Sequence, residues 1–216
     1  MTHIEAVYLP HNEPYLGRAR LLAFDRAIPN AMLTNTAVSS RTFNATLTPL
    51  QVAATEIIPQ GVSIALSIRE LLRQAYLYSA AILIRPLIER TGTIYYLRRN
   101  PVSVKAWRTG WPRRSQPSFE TLLAVLHPGA TPDAHDPLRT MMHKLVHSDP
   151  AGSIYNMFHR SDGAPVFSSG KIVDQPAMCD FISTAGHHYL ERLVSIAVTI
   201  FPPDKCTGRA APEKSW

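Results

Sequence analysis

The stretch AYLYSAAILIRPLIERTGTIYYL, residues 75–97, constrains this chain more than any other. At helical spacing, Leu77, Ala81, Ile84, Ile88, Thr91 and Tyr95 share one face. Tyr78, Ile82, Arg85, Glu89, Gly92 and Tyr96 share the face beside it. A helix that is apolar nearly all round must be enclosed on nearly every side. The rest of the chain is patterned mostly for helices, so the predicted fold is an all-α antiparallel bundle with this segment at its centre.

The charges inside that helix need an account. Arg85 and Glu89 are four apart and can touch, but Arg before Glu is the less favourable order on a helix. An isolated buried charge costs on the order of several kcal/mol, so each needs hydrogen bonds. Pro86 frees the carbonyl of Ile82 and should bend the helix there. One reading is a structural ion pair, or charges that snorkel out at the bundle rim. The other is a polar cleft whose members bind a ligand or do chemistry, opened in part by the proline bend.

The remaining elements follow from punctuation. A first helix is expected over 14–27 and helical patterning again over 49–58, with 29–48 rich in Thr, Asn and Ser. Pro59-Gln60-Gly61 breaks that pattern or opens the next helix. Residues 62–99 are mostly helical, with Gly92 as the weakest link, and Asn100-Pro101 ends them. Ser103 can cap a short helix through Arg108. Further helices are expected over 118–126, 133–147 and 176–201. Residues 152–173 change character and predict a small β-hairpin or an irregular flap. The expected layout is a loose arm over 1–13, one helical domain over 14–201, and a disordered tail over 202–216.

The chain has 216 residues and a formal net charge of +6. That balance favours anionic partners such as nucleic acid. Charged residues make up only 18%, which suggests that a partner covers some surface. The two cysteines, Cys179 and Cys206, lie in no metal-binding spacing and suit a reducing compartment. No uncharged apolar run approaches the roughly 20 residues that span a bilayer, and the first ten residues lack a signal-peptide pattern. A cytoplasmic protein without a membrane partner and without a cofactor is expected.

Between Glu89 and Glu120 there is no acid, while Arg90, Arg98, Arg99, Lys105, Arg108, Arg113 and Arg114 stand in that gap. Trp107 and Trp111 lie among them. Such a stretch makes an electropositive patch whose indoles can stack bases, and it points to RNA. A solvated basic face with both tryptophans packed as core anchors accounts for the same residues.

In LRTMMHKLVHSDP, the residues Leu138, Met141, Met142, Leu145 and Val146 form an amphipathic stripe, with Arg139 and His143 on its flank. His143 and His147 are four apart and could share a metal, with Glu89 as a possible third ligand, but no glutamate stands between them as in HExxH. A metal-free reading is preferred. A histidine beside an arginine and a carboxylate can move a proton and stabilise an anionic transition state. His187, His188 and Glu191 form a second polar group, read as surface.

LIRPLIERTGTIYYLRRNP, followed later by MMHKLVHSDP, resembles a bacterial group of helical proteins related to the HEPN superfamily. The likeness covers roughly residues 60–200. It implies an all-α bundle, often dimeric. It also implies a metal-independent ribonuclease of a toxin–antitoxin or anti-phage defence system, with an antitoxin or defence protein as partner, or a non-catalytic relative. The family's motif is Arg, four to six residues, then His. Here Arg139 to His143 leaves three between and Arg139 to His147 leaves seven. By that resemblance the catalytic candidates are Arg85, Glu89, His143 and His147. His147 would act as general acid and base, Arg85 would hold the phosphate, and Glu89 would orient a neighbour. Arg98, Arg99, Lys105, Trp107, Arg108, Trp111, Arg113 and Arg114 would bind RNA. The alternatives are a non-catalytic interaction or dimerisation protein, and a metal-dependent enzyme using His143 and His147.

Overall fold

The computed structural model describes residues 13–112, 115–146, 157–159, 162–167 and 170–202. Seven helices stand among them: α1 (Ala19–Thr42), α2 (Pro49–Arg73), α3 (Leu77–Arg99), α4 (Ser103–Arg108), α5 (Phe119–Leu126), α6 (Pro132–Val146) and α7 (Pro176–Ile200). Two short strands, β1 (Met157–His159) and β2 (Pro165–Phe167), pair antiparallel with Phe158 opposite Val166. Of the expected arm over 1–13 and tail over 202–216, residues 1–12 and 203–216 lie outside the described residues. Among the described residues, no helix is long and apolar enough to cross a membrane.

The bundle is built around α3, which packs on α2, α5, α6 and α7. Its buried residues Leu77, Ala80, Ala81, Ile84, Leu87, Ile88, Ile94 and Leu97 point to several sides at once, as its apolar circumference requires. Thr91 is fully buried, and its hydroxyl donates to the Leu87 carbonyl at 2.9 Å. A β-carbon added at Gly92 would sit 2.8 Å from Cβ of Leu122 and 3.3 Å from that residue's carbonyl oxygen. Gly92 is therefore the point where α5 closes on α3, and the helix carries its propensity cost of about 1 kcal/mol there.

Four boundaries differ from those expected. The first helix starts later than 14 and runs to Thr42, straight through Pro29 and the polar segment after it. Its apolar face, with Leu21, Phe24, Ala31 and Val38 buried, holds it on α7 and α2. Pro59 interrupts nothing, because α2 is continuous from a Thr48–Gln51 capping box to Arg73. The long segment 62–99 is instead split at residues 74–76. There Ala75 takes φ +63°, and the N–H groups of Ala75 and Tyr76 return to Leu72 and Leu71. That is a Schellman end with alanine where glycine is usual. It is pinned by the Ile172 N–H, which donates to the Ala75 carbonyl at 2.9 Å. Val102, not Ser103, precedes α4, and no side chain caps it. Ser118 caps α5 by accepting from Thr121 N–H at 3.1 Å.

Polar ties fix the helices to one another. Arg18 makes a two-pronged pair with Asp180 of α7. Arg69 of α2 bridges Asp25 of α1 and Glu13, the latter at 2.9 Å. Burial alone would lower the Arg69 pKa, but the hydrogen bonds that the guanidinium donates to both carboxylates outweigh it and raise it.

Candidate functional site

The Arg85–Glu89 couple sits on the side of α3 that looks between α2 and α5. Arg85 Nε donates to Glu89 Oε1 at 3.0 Å, and the side chains keep 21% and 35% of their exposure. These charges are thus neither sealed in the core nor free at the rim. They line a cleft of about 650 Å³. The Arg85 guanidinium also lies 5.0 Å from the centroid of the Phe119 ring, within cation–π range. Among the described residues, the second oxygen of Glu89 has no partner.

Other elements complete the cleft. From α2 come Ile57 and Gln60, from α3 also Arg90 and Thr93, and from α4 Trp107. The segment joining α4 to α5 adds Gly110, Trp111 and Gln116, and α5 adds Phe119 and Leu122. Arg90 Nε donates to Gln60 Oε1 at 2.8 Å. Among the described residues, the terminal nitrogens of Arg90 and the amide nitrogen of Gln60 meet no partner. Two guanidiniums and one carboxylate leave the lining with a net positive charge.

The end of α4 aims the indoles. Gly110, at φ +82°, donates to the Trp107 carbonyl, and Trp111 N–H reaches back to the Ala106 carbonyl at 2.9 Å. This is a second Schellman end, with glycine at its usual place. Trp111 itself takes φ +54°, a strained setting for a bulky residue that costs on the order of 1–3 kcal/mol. Its ring meets Tyr96 edge-on at 6.3 Å between centroids. Trp107 and Trp111 are both half-buried and pack against the core while lining the cleft. Both tryptophans are packed as anchors, and both also line the cleft.

The remaining expected positions divide clearly. Arg98, Arg99, Lys105 and Arg108 are exposed, and among the described residues they form no ion pair. Arg113, Arg114 and His147 lie outside the described residues. His143 is exposed on α6 and is not among the cleft-lining residues. Met142 and Leu145 of the same stripe are buried, so the histidine's flank position follows from the amphipathic pattern. Arg139 is paired with Glu120 of α5. Among the described residues, no three His, Cys, Asp or Glu side chains are grouped to hold a metal ion. Gln60, Arg90 and Phe119 belong to the cleft without having been singled out as site residues. Arg90 was visible as part of the charge run, whereas nothing in the pattern marks Gln60 or Phe119.

The second polar group lies elsewhere, along the α5–α7 seam. His187 pairs with Glu191 at 3.1 Å. The rings of His127 and His188 stack at 5.3 Å between centroids, and His127 Nε2 is 3.3 Å from the Tyr189 hydroxyl. Burial pushes the Tyr189 pKa up to about 12. His188 keeps contact with solvent, yet partial burial first, and Arg192 second, lower its pKa below the ordinary 6.5. The unfolded chain therefore takes up that proton first. The contribution of His188 to stability is complete above pH 6.5 and is lost as pH falls through the lower, folded-state pKa. Urea midpoints measured at pH 7.5 and pH 5 should accordingly differ less for His188→Phe than for the unaltered protein.

No family model, curated protein or solved structure matches the chain.

Proposed function

We propose that this chain is a HEPN-like helical bundle that binds single-stranded RNA in the cleft between α2, α3 and α5. One observation carries the reading: among the described residues, two indole rings, a guanidinium whose terminal nitrogens meet no partner and a half-used carboxylate share one cleft, while α3 and α4 carry four exposed cations that form no ion pair. Single-stranded nucleic acid is bound by that combination, with aromatic faces stacking bases and cations following the backbone. His143 is not among the cleft-lining residues and His147 lies outside the described residues, so the reading here is of binding, and cleavage is put to the test below. A defence or toxin–antitoxin role rests on the resemblance alone.

The test is a titration of a labelled 12-nucleotide RNA at several salt concentrations. Affinity should fall steeply with salt. Replacing Arg98, Arg99, Lys105 and Arg108 together by alanine should flatten the slope of log K against log salt by about 0.7 for each phosphate contact removed. A slope that does not change would detach the strip from RNA. In the same reactions, intact RNA with the unaltered protein and with His147→Ala would count against cleavage.

A second reading has its own support. Leu33 is 70% exposed and Val198 45%, and both line a groove of about 240 Å³ between α1 and α7. This apolar face favours an interaction or dimerisation role, which can coexist with RNA binding. Sedimentation of the unaltered protein and of Leu33→Glu should give different masses if copies meet there, and equal masses if they do not.

A further inference from the structure

We infer that the cleft selects guanine. The inference rests on the single-strand reading and adds to it which base the cleft holds. The carboxylate of Glu89 is fixed by the Arg85 bond at one oxygen, while its second oxygen has no partner among the described residues. An ionised carboxylate accepts only, with about four lone-pair sites. It is therefore matched by two neighbouring N–H donors and mismatched by a lone pair.

Guanine offers such donors, N1–H and the N2 amine, side by side on its Watson–Crick edge. Adenine and cytosine set a ring nitrogen lone pair beside their single amine. Uracil sets one N–H between two carbonyls. Each of the other three bases would bring an acceptor against Glu89.

The other polar groups of the cleft complement what remains of guanine. Arg90 holds Gln60 through its Nε at 2.8 Å, so both side chains are oriented, and each has donors left over. Guanine O6 and N7 are acceptors, and a guanidinium is the side chain that pairs with them most often. The indoles of Trp107 and Trp111 supply faces for the ring. A cleft of about 650 Å³ falls in the range of small-ligand sites and has room for a base with its ribose.

The experiment measures anisotropy of four labelled heptamers at one salt concentration. Each is a uridine strand whose central position is U, A, C or G. With the unaltered protein, the G heptamer should bind about 10-fold tighter than the other three, or more. Glu89→Gln should bring the G heptamer down to the affinity of the others, since an amide exchanges an acceptor for a donor. A heptamer with central inosine, which lacks the N2 amine, should lose part of the preference, and this needs no variant at all. Equal affinity for all four heptamers would overturn guanine selection and leave RNA binding standing. Failure of every heptamer to bind would remove both. A preference that survives in Glu89→Gln, or inosine binding as tightly as guanine, would overturn the assignment of Glu89.

Discussion

Trp107→Ala is expected to weaken single-stranded RNA binding about 5- to 150-fold, the effect of losing one base–aromatic stack of about 1–3 kcal/mol. Trp107→Phe should recover most of that loss, because a smaller ring still presents a face. The contrast matters because Trp107 also packs against the core. If the ring were only an anchor, both variants would shift the unfolding midpoint while binding by the folded fraction stayed the same. Measuring thermal unfolding and RNA anisotropy on the same preparations separates the two roles.

Arg69→Ala is expected to lower stability by about 2–4 kcal/mol, read from the urea midpoint. Arg69 is only 15% exposed and serves two carboxylates, Glu13 at 2.9 Å and Asp25. Removing one member of a buried ion pair strands the other charge at a cost of about 3–5 kcal/mol. The estimate is lowered because Asp25 keeps 30% of its exposure and water can solvate it. Adding Asp25→Asn to Arg69→Ala should restore part of the loss by removing one stranded charge. If the double variant were no better than the single, the cost would lie in lost packing instead.

The central helix was legible because its apolar circumference admits one solution, enclosure by other helices. The short helix α5 was legible from Ser118 and the leucines behind it. The split of the long segment at residues 74–76 was not. Its turn uses Ala75 in the left-handed region, without glycine or proline to mark it, and the stabilising contact comes from Ile172, nearly a hundred residues away. Pro59 misled in the opposite direction, and the Thr-, Asn- and Ser-rich composition of 29–48 hid the second half of α1, which contains Pro29. Tertiary burial on either side of each proline outweighs the hydrogen bond it removes, so α1 and α2 continue.

The cleft was legible in pieces. Arg85 and Glu89 stood out as misplaced charges, and Trp107 and Trp111 as aromatics in a basic stretch. Their convergence depends on α4 turning back at Gly110 and on α5 closing at Gly92, and neither event leaves a periodic trace. The expected meeting of the Arg85–Glu89 couple with a histidine has no such support from His143, which the α6 stripe turns outward. His187, His188 and Glu191 were expected at the surface. Their residue types gave no sign that His188 would stack on His127, since that contact joins two helices far apart in sequence.

Photocrosslinking a 6-thioguanosine-substituted single-stranded RNA to the protein, and mapping the modified residues by mass spectrometry, tests the central claim most directly. Crosslinks should concentrate on Trp107, Trp111 and Phe119. Crosslinks confined to α1 and α7, or none above a bovine albumin control, would contradict RNA binding in this cleft.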